Sequence, residues 1–95
     1  MLRALIIDDL KEVSEVLLFL LKNNFSELFS EIVVANTYAE SIEHLNKTNF
    51  DIIFLDIELD NGKSGFDLLE EVQGEFNSAV IITTAHSHYA LNAIK

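Results

Sequence analysis

The sequence predicts an α/β domain in which helices cover both faces of a parallel sheet. Four short apolar runs, rich in β-branched or aromatic residues, have the length of strands and lie at residues 2–7, 31–35, 51–55 and 79–83. Segments with helical spacing of apolar residues separate these runs, which gives the order β-α-β-α-β-α-β. Strands that are apolar on both faces and alternate with helices indicate a doubly wound parallel sheet with right-handed crossovers.

The three helical segments each repeat apolar residues at a spacing of three or four. We expect these residues to face the sheet, because that spacing places them on one side of a helix. They are Val13, Val16, Leu17, Leu20 and Leu21 in the first segment, Tyr38, Ile42 and Leu45 in the second, and Phe66, Leu69 and Val72 in the third. Residues 87–95 are predicted to begin a fourth helix, which Ser87 could cap.

Length and composition restrict the class of protein. A chain of 95 residues with 49% hydrophobic content can bury one core, so we expect residues 1–95 to form a single domain. The absence of cysteine from the sequence excludes disulfide frameworks, thiolate metal sites and cysteine nucleophiles. The apolar run at residues 1–7 is too short, and too soon acidic, for a signal peptide or a membrane span. We therefore expect a cytoplasmic protein without membrane contact.

The net charge argues against direct binding of nucleic acid. Six basic residues stand against sixteen acidic ones, which gives a formal net charge of −10. Such a chain would repel a phosphate backbone, so any contact with DNA must come from another module. Acidic residues scattered over the helices favour solubility. Acidic residues placed at the ends of strands need a different explanation.

Polar residues at the strand ends predict a site for phosphate chemistry. Asp8 and Asp9 end the first strand, Asp56 ends the third, and Thr83 with Thr84 ends the fourth. In an open parallel sheet the carboxyl ends of strands form the ligand site, so these side chains should converge. Two carboxylates about 4 Å apart repel by roughly 4 kcal/mol at an effective dielectric constant near 20, and a cation relieves that repulsion. Oxygen ligands alone suit Mg²⁺, which completes its shell with water and phosphate.

A structural role is the alternative for each aspartate taken singly. An aspartate at a strand end often forms a turn or caps the following helix, and Asp9, shortly before Val13, could do so. The combination is more informative than any member. Three carboxylates and a hydroxyl, all at carboxyl ends of strands in one short chain, favour a shared site.

Three stretches of the sequence resemble the successive signatures of receiver domains of two-component response regulators. They are "ALIIDD" before a helix, "DIIFLDIEL" followed by "SGFDLLEEV", and "VIITTA", and the resemblance covers all 95 residues. It implies a flavodoxin-like (CheY-like) sheet of order 2-1-3-4. It also implies that Asp56 is the phosphoacceptor and that Asp9, Asp56 and the backbone carbonyl of Glu58 bind Mg²⁺. Asp8 would assist through water, and Thr84 would supply the switch hydroxyl.

The resemblance further implies a signalling role rather than metabolic catalysis. The aspartate attacks phosphorus in line, with a phosphohistidine of a sensor histidine kinase as donor, and the domain catalyses only its own phosphorylation and dephosphorylation. The stretch "TTAHSHYALNAIK" is similar to receivers of LytTR-type transcription regulators. That similarity implies a DNA-binding output module that these 95 residues do not include.

Two features depart from the family pattern. The loop "IELDNGKSG" lacks the usual proline and reaches Gly65 one residue late, but Asn61 and Gly62 predict a turn with positive φ. The carbonyl of Glu58 could therefore still reach a metal. The family's fifth strand, which bears a lysine, and its fifth helix are lacking, so we expect a receiver that is incomplete at its carboxyl end.

The incomplete end leaves a second function open. The chain could be a pseudo-receiver or truncated interaction module that keeps the fold without productive phosphorylation. A fourth strand without a neighbour would expose backbone groups and apolar side chains. We therefore expect that a homodimer could form through the fourth helix or through the exposed fourth strand at residues 79–83.

Overall fold

The protein forms a four-stranded parallel sheet with helices on both faces. A computed structural model describes residues 1–72 and 78–83. The elements are β1 (Leu2–Ile7), α1 (Lys11–Asn24), β2 (Phe29–Ala35), α2 (Tyr38–Lys47), β3 (Ile52–Leu55), α3 (Gly65–Glu71) and β4 (Ala79–Ile82). The predicted alternation of strands and helices is confirmed, and the predicted fourth helix at residues 87–95 lies outside the described residues. None of the helices in the described ranges has the length and apolar character needed to cross a membrane.

The strand order is β2-β1-β3-β4, and every neighbouring pair is parallel. This order confirms the doubly wound, flavodoxin-like sheet of order 2-1-3-4 that the sequence predicts. Ile7 pairs with Ala35 on one side and with Leu55 on the other, and Leu55 pairs with Ile82. Because these last residues are in register, the carboxyl ends of all four strands form one edge of the sheet.

Alternate residues of the central strands fill a core on each face of the sheet, as the period of two in a strand requires. Buried apolar residues on the α2 and α3 side are Leu5, Ile7, Ala35, Phe50, Ile53, Leu55, Leu59 and Leu68. Those on the α1 side are Ala4, Ile6, Leu21 and Phe54. The two cores fix β1 and β3 in place, and these two strands carry the acidic residues of the predicted site.

The apolar face predicted for α2 is confirmed, whereas the prediction for α1 is only partly right. Tyr38, Ile42 and Leu45 pack against the core. In α1, Leu17 and Leu21 pack on the sheet, but the other predicted members, Val13, Val16 and Leu20, are exposed, and Val16 reaches 60%. The helix contacts the sheet along one stripe, and its apolar arc is wider than that stripe.

The face predicted for α3 is wrong at Phe66. Phe66 is 53% exposed, whereas Leu68 is completely buried and Leu69 packs against the core. The helix begins at Gly65, which is itself buried against the sheet. Gly65 and Leu68 therefore define the inner face, and Phe66 is rotated from Gly65 by about 100° around the helix.

Candidate functional site

Three carboxylates converge at the carboxyl edge of the sheet. Asp8 and Asp9 follow β1, and Asp56 follows β3. The backbone N–H of Asp56 donates to the Ile7 carbonyl at 3.0 Å. One carboxylate oxygen from each of the three residues lies within 4.8 Å of the others. Asp8 and Asp56 are only 4% and 6% exposed, whereas Asp9 is exposed. The structure thus brings together the acids that the sequence places at strand ends, two buried and one at the solvent side.

The site changes the protonation of Asp8. Burial raises the pKa of its carboxyl group to about 6. The negative charges of Asp56 and Asp9 and a side-chain hydrogen bond with Asp56 raise this pKa further, while a hydrogen bond from the Leu10 N–H opposes the rise. Near neutral pH the cluster therefore holds crowded negative charge that a cation would stabilise.

The loop between β1 and α1 leaves Asp9 available as a ligand. The N-cap residue of α1 is Leu10, and its side chain makes no capping hydrogen bond. The alternative in which Asp9 caps this helix is therefore wrong. Asp8 shapes the turn instead, because its Oδ1 atom accepts from the Leu10 N–H at 2.9 Å.

Asn36, which directly follows β2, contacts this loop, and no motif in the sequence predicts that contact. Its side-chain amide donates to the carbonyl of Asp8 at 2.8 Å and to Oγ of Ser14 at 2.9 Å. The contact links residues 22 or more positions apart in the chain. The only sequence signal was a polar residue directly after a strand, at the edge where the acids converge.

The loop after Asp56 folds back on itself, and the predicted positive φ is confirmed. Asn61 has φ of 61° and Gly62 has φ of 70°. Lys63 N–H donates to the Asp60 carbonyl at 3.2 Å, and Glu58 forms an isolated antiparallel bridge with Ser64. The turn keeps the exposed Glu58 in a closed loop, two residues beyond Asp56.

This loop is also attached to α2 and α3. The side chain of Asp60 accepts from the Tyr38 N–H at 2.7 Å, at the first residue of α2. Ser64 and Asp67 form a capping box at the start of α3, with side-chain hydrogen bonds of 3.1 and 2.8 Å. No pattern in the sequence predicts the link between Asp60 and Tyr38.

The hydroxyl side of the predicted site is described only as far as Thr83. The Thr83 N–H donates to the Leu55 carbonyl at 2.9 Å, so pairing of β4 with β3 continues to the residue that precedes Asp56. Thr84, which the sequence predicts as the switch hydroxyl, lies outside the described residues. The pairing brings the end of β4 to the same edge as the acids.

The donor set fits a hard divalent cation. Asp8, Asp9 and Asp56 offer only carboxylate oxygens, the ligand type that Mg²⁺ and Ca²⁺ bind, and the sequence contains no cysteine. Burial raises the pKa of Asp8, and the negative charges of Asp56 and Asp9 raise it further. A divalent ion at these oxygens would offset that charge.

Comparison with known proteins gives a consistent result. Residues 4–95 match the protein family described as "Response regulator receiver domain". The sensory transduction protein LytR of Staphylococcus epidermidis is 36% identical over 95 residues, which are 99% of this chain and 36% of that protein. The transcriptional regulatory protein LytR of Staphylococcus aureus is 37% identical over 99% of this chain and 37% of its own length. The chain thus spans a little over one third of these relatives.

A solved structure supports the same assignment. The response regulator TrrA from Thermotoga maritima, in complex with Mg²⁺ and a beryllium fluoride, superposes with a TM-score of 0.78. It is 31% identical, and the match covers 97% of this chain and 76% of that one. With its sheet order, its cluster of acids at the carboxyl edge and these matches, the chain belongs to the response regulator receiver domain family.

Proposed function

We propose that Asp56 accepts a phosphoryl group and that this modification is the signal the domain carries. The observation that supports this most directly is the position of Asp56, buried at the carboxyl end of β3 beside Asp8 and Asp9. In a parallel sheet this edge is where ligands bind. Membership of the receiver family adds the expectation that the ligand is a phosphoryl donor.

The same proposal assigns a metal to the acids. Asp9, Asp56 and the backbone carbonyl of Glu58 would hold Mg²⁺, and Asp8 would assist through water. When bound, Mg²⁺ supplies positive charge that stabilises the phosphoryl oxygens. Support comes from the oxygen-only donor set and from the relative TrrA, whose structure contains Mg²⁺ with a beryllium fluoride.

The chain's own groups perform the transfer by position and charge. An ionised oxygen of Asp56 attacks phosphorus in line, and a new oxygen–phosphorus bond forms as the bond from phosphorus to the donor's leaving group breaks. Low exposure of Asp56 limits competing water and keeps the carboxylate in one place. Thr84 would donate a hydrogen bond to a phosphoryl oxygen. The reaction modifies the protein itself and turns over no external metabolite.

The donor and the output are proposed from the relatives. The donor would be a phosphohistidine of a sensor histidine kinase. The relatives carry the names sensory transduction protein and transcriptional regulatory protein, and this chain matches a little over one third of each. A whole protein of that kind would bind DNA through a separate module, because a domain with net charge −10 repels phosphate.

Labelling with acetyl phosphate and Mg²⁺ tests the phosphoacceptor directly. Intact-mass spectrometry should show one added phosphoryl group that is stable in acid and labile in base, as an acyl phosphate is. Asp56→Asn should remain unlabelled. Asp51→Asn is the matched control, because Asp51 directly precedes β3 whereas Asp56 directly follows it. At that opposite end of the strand the Asp51 carboxylate accepts from the Arg3 N–H. It should be labelled like the wild type.

Each outcome has a defined meaning. Label retained in Asp56→Asn would show that another residue is the acceptor. A wild-type protein that binds Mg²⁺ but takes no label from acetyl phosphate or phosphoramidate would favour the pseudo-receiver alternative. Label in the wild type that depends on Mg²⁺ and disappears only in Asp56→Asn would establish the proposed chemistry.

A further inference from the structure

One side chain, Asn36, holds both ends of the acidic loop between β1 and α1. We infer that Asn36 is a positioning residue that fixes the backbone of residues 8–11 and thereby the direction in which Asp9 presents its carboxylate. The inference rests on the proposed function for its metal, since it assigns Asn36 to the orientation of a proposed Mg²⁺ ligand. Asn36 itself would contact neither the metal nor the phosphoryl group.

The contacts of Asn36 use both hydrogens of its amide. Nδ2 donates to the Asp8 carbonyl at 2.8 Å and to Oγ of Ser14 at 2.9 Å. Ser14 Oγ in turn donates to the Lys11 carbonyl at 2.9 Å. A backbone carbonyl can only accept, so the amide must present its nitrogen to Asp8. The loop is therefore attached at residue 8 directly and at residue 11 through Ser14.

Asn36 is itself held by rigid parts of the fold. It follows Ala35, the completely buried last residue of β2, whose carbonyl accepts from the Asp8 N–H at 3.1 Å. The backbone N–H of Asn36 donates to Oε1 of Glu40 in α2 at 2.9 Å. A side chain anchored to the sheet and to a helix can transmit that rigidity to the loop it contacts.

The loop has one side-chain hydrogen bond of its own, from the Leu10 N–H to Oδ1 of Asp8, and the contacts of Asn36 add to it. Asp9 is exposed, and the N-cap residue Leu10 makes no capping hydrogen bond. The Asp8 carbonyl belongs to the peptide unit that leads into Asp9, so a hydrogen bond to that oxygen restrains the plane of the peptide from which the Asp9 side chain extends. Residues that orient metal ligands in this way typically change metal affinity by about 10- to 100-fold when they are removed.

The chemistry of position 36 favours asparagine over its closest substitutes. Aspartate has the same shape but would place an oxygen against the Asp8 carbonyl and add a negative charge beside the acid cluster. Alanine would leave the Asp8 carbonyl and the buried Ser14 hydroxyl without this donor, and Ser14 is 0% exposed. Both substitutions should release the loop, and aspartate should do so more strongly.

The test compares Asn36→Ala and Asn36→Asp with Thr37→Ala. Thr37 is the adjacent residue, and its side chain accepts from the Glu40 N–H at the start of α2 without a side-chain hydrogen bond to the acidic loop. Thr37→Ala therefore controls for general loss of stability. Isothermal titration calorimetry measures the affinity for Mg²⁺, and urea unfolding measures stability. Amide hydrogen exchange at Leu10, without Mg²⁺, measures how readily the loop opens.

We expect Asn36→Ala to weaken Mg²⁺ binding by about 10- to 100-fold, and Asn36→Asp to weaken it more, while Thr37→Ala binds like the wild type. Ser14→Ala removes one of the two attachments and should have an intermediate effect. Equal Mg²⁺ affinity in Asn36→Ala and Thr37→Ala, with both proteins folded, would overturn the inference.

Hydrogen exchange separates this inference from the proposed function. If the wild type binds no Mg²⁺, the proposed metal site fails, and exchange alone then decides the role of Asn36. Faster exchange of the Leu10 amide in Asn36→Ala but not in Thr37→Ala supports the positioning role. Unchanged exchange in Asn36→Ala shows that the loop holds its conformation without this side chain and overturns it.

Discussion

The backbone oxygen of Asp56 lies directly against Gly65. A β-carbon on Gly65 would stand 2.5 Å from that oxygen and 2.9 Å from Cγ of Leu55, closer than real contacts allow. The Gly65 N–H also donates to the Ile57 carbonyl at 2.6 Å. Glycine is needed here for close approach rather than for positive φ. The first residue of α3 therefore fixes the backbone of the proposed phosphoacceptor.

Gly65→Ala should disturb both stability and phosphorylation. The added methyl group must displace either the Asp56 backbone or the start of α3, and overpacking of this kind costs about 1–3 kcal/mol of unfolding free energy. Urea unfolding should show that loss, and labelling by acetyl phosphate should be slower. Gly62→Ala is the control: it meets no atom within 4 Å, and its φ of +70° adds only local strain. Labelling of Gly65→Ala at the wild-type rate would contradict this prediction.

Mg²⁺ should stabilise the folded protein through the acid cluster. An ion that binds only the native state raises the free energy of unfolding by about 2.7 kcal/mol at one hundred times its Kd. The melting temperature should therefore rise with millimolar Mg²⁺, and Asp9→Asn should abolish the rise. Glu12→Gln, an exposed acid in the first turn of α1 outside the cluster, should keep it. A wild-type melting temperature that does not change when Mg²⁺ is added would contradict the metal assignment.

The sheet and the cluster of acids could be predicted from sequence because both depend on simple repeats. Apolar runs mark β1 and β3, and parallel strands in register bring Asp8 and Asp56 to one edge. The first residue of β2 was harder to predict from the sequence. The strand begins at Phe29 rather than residue 31, and its pairing with β1 shifts register between Leu2 and Arg3, an irregularity that no apolar pattern marks.

The supporting contacts could not be predicted because they depend on three-dimensional placement of single side chains. Asn36 reaches Ser14 across 22 residues, and Asp60 reaches Tyr38 across the same separation. Helix spacing indicated Phe66 for the inner face of α3, but the contact of Gly65 with the Asp56 backbone sets the rotation of the helix and buries Leu68. Periodicity defines an amphipathic face only to within about one residue in so short a helix.

Stability should fall as pH rises through the pKa of Asp8. The folded pKa of about 6 lies above the ordinary value of 3.8, so between these values the folded state holds a proton that the unfolded chain releases. This contribution is therefore present below pH 3.8 and lost above about pH 6, with a size of at most about 3 kcal/mol. Asp9 and Asp56 face Asp8, and their negative charges raise its pKa further and so enlarge the loss.

Urea unfolding across this range, without Mg²⁺, measures the effect. Asp8→Asn should remove the decline, and saturating Mg²⁺ should reduce it, because the ion stabilises the ionised acids. The capping hydrogen bonds with Ser64 lower the pKa of Asp67, so the stability that Asp67 contributes is lost as pH falls, opposite to the trend for Asp8. The difference between the wild type and Asp8→Asn isolates Asp8. Parallel pH profiles for the two proteins would contradict the prediction.

The loop after Asp56 should depend on the hydrogen bond between Asp60 and the first residue of α2. The Tyr38 N–H is one of the first-turn donors that a helix cannot satisfy internally, and Oδ1 of Asp60 accepts from it at 2.7 Å. The negative charge of Asp60 is also favourable at the amino terminus of a helix. Lys63 lies 5.5 Å from the centre of the Tyr38 ring, and the Tyr38 hydroxyl donates to Glu71 at 2.7 Å, so one tyrosine joins the loop, α2 and α3.

Asp60→Ala should therefore lower the free energy of unfolding by about 1–2 kcal/mol, because it removes a charged acceptor from a helix terminus. Asp60→Asn keeps an oxygen at that position and should cost less. Glu43→Ala is the control, since its exposed pair with Lys47 contributes at most about 0.5 kcal/mol. Amide exchange at Leu59, whose N–H donates to the Lys63 carbonyl, should become faster in Asp60→Ala alone. If Leu59 exchange is unchanged while stability falls, Asp60 stabilises α2 only, and the turn at Asn61 and Gly62 holds the loop by itself.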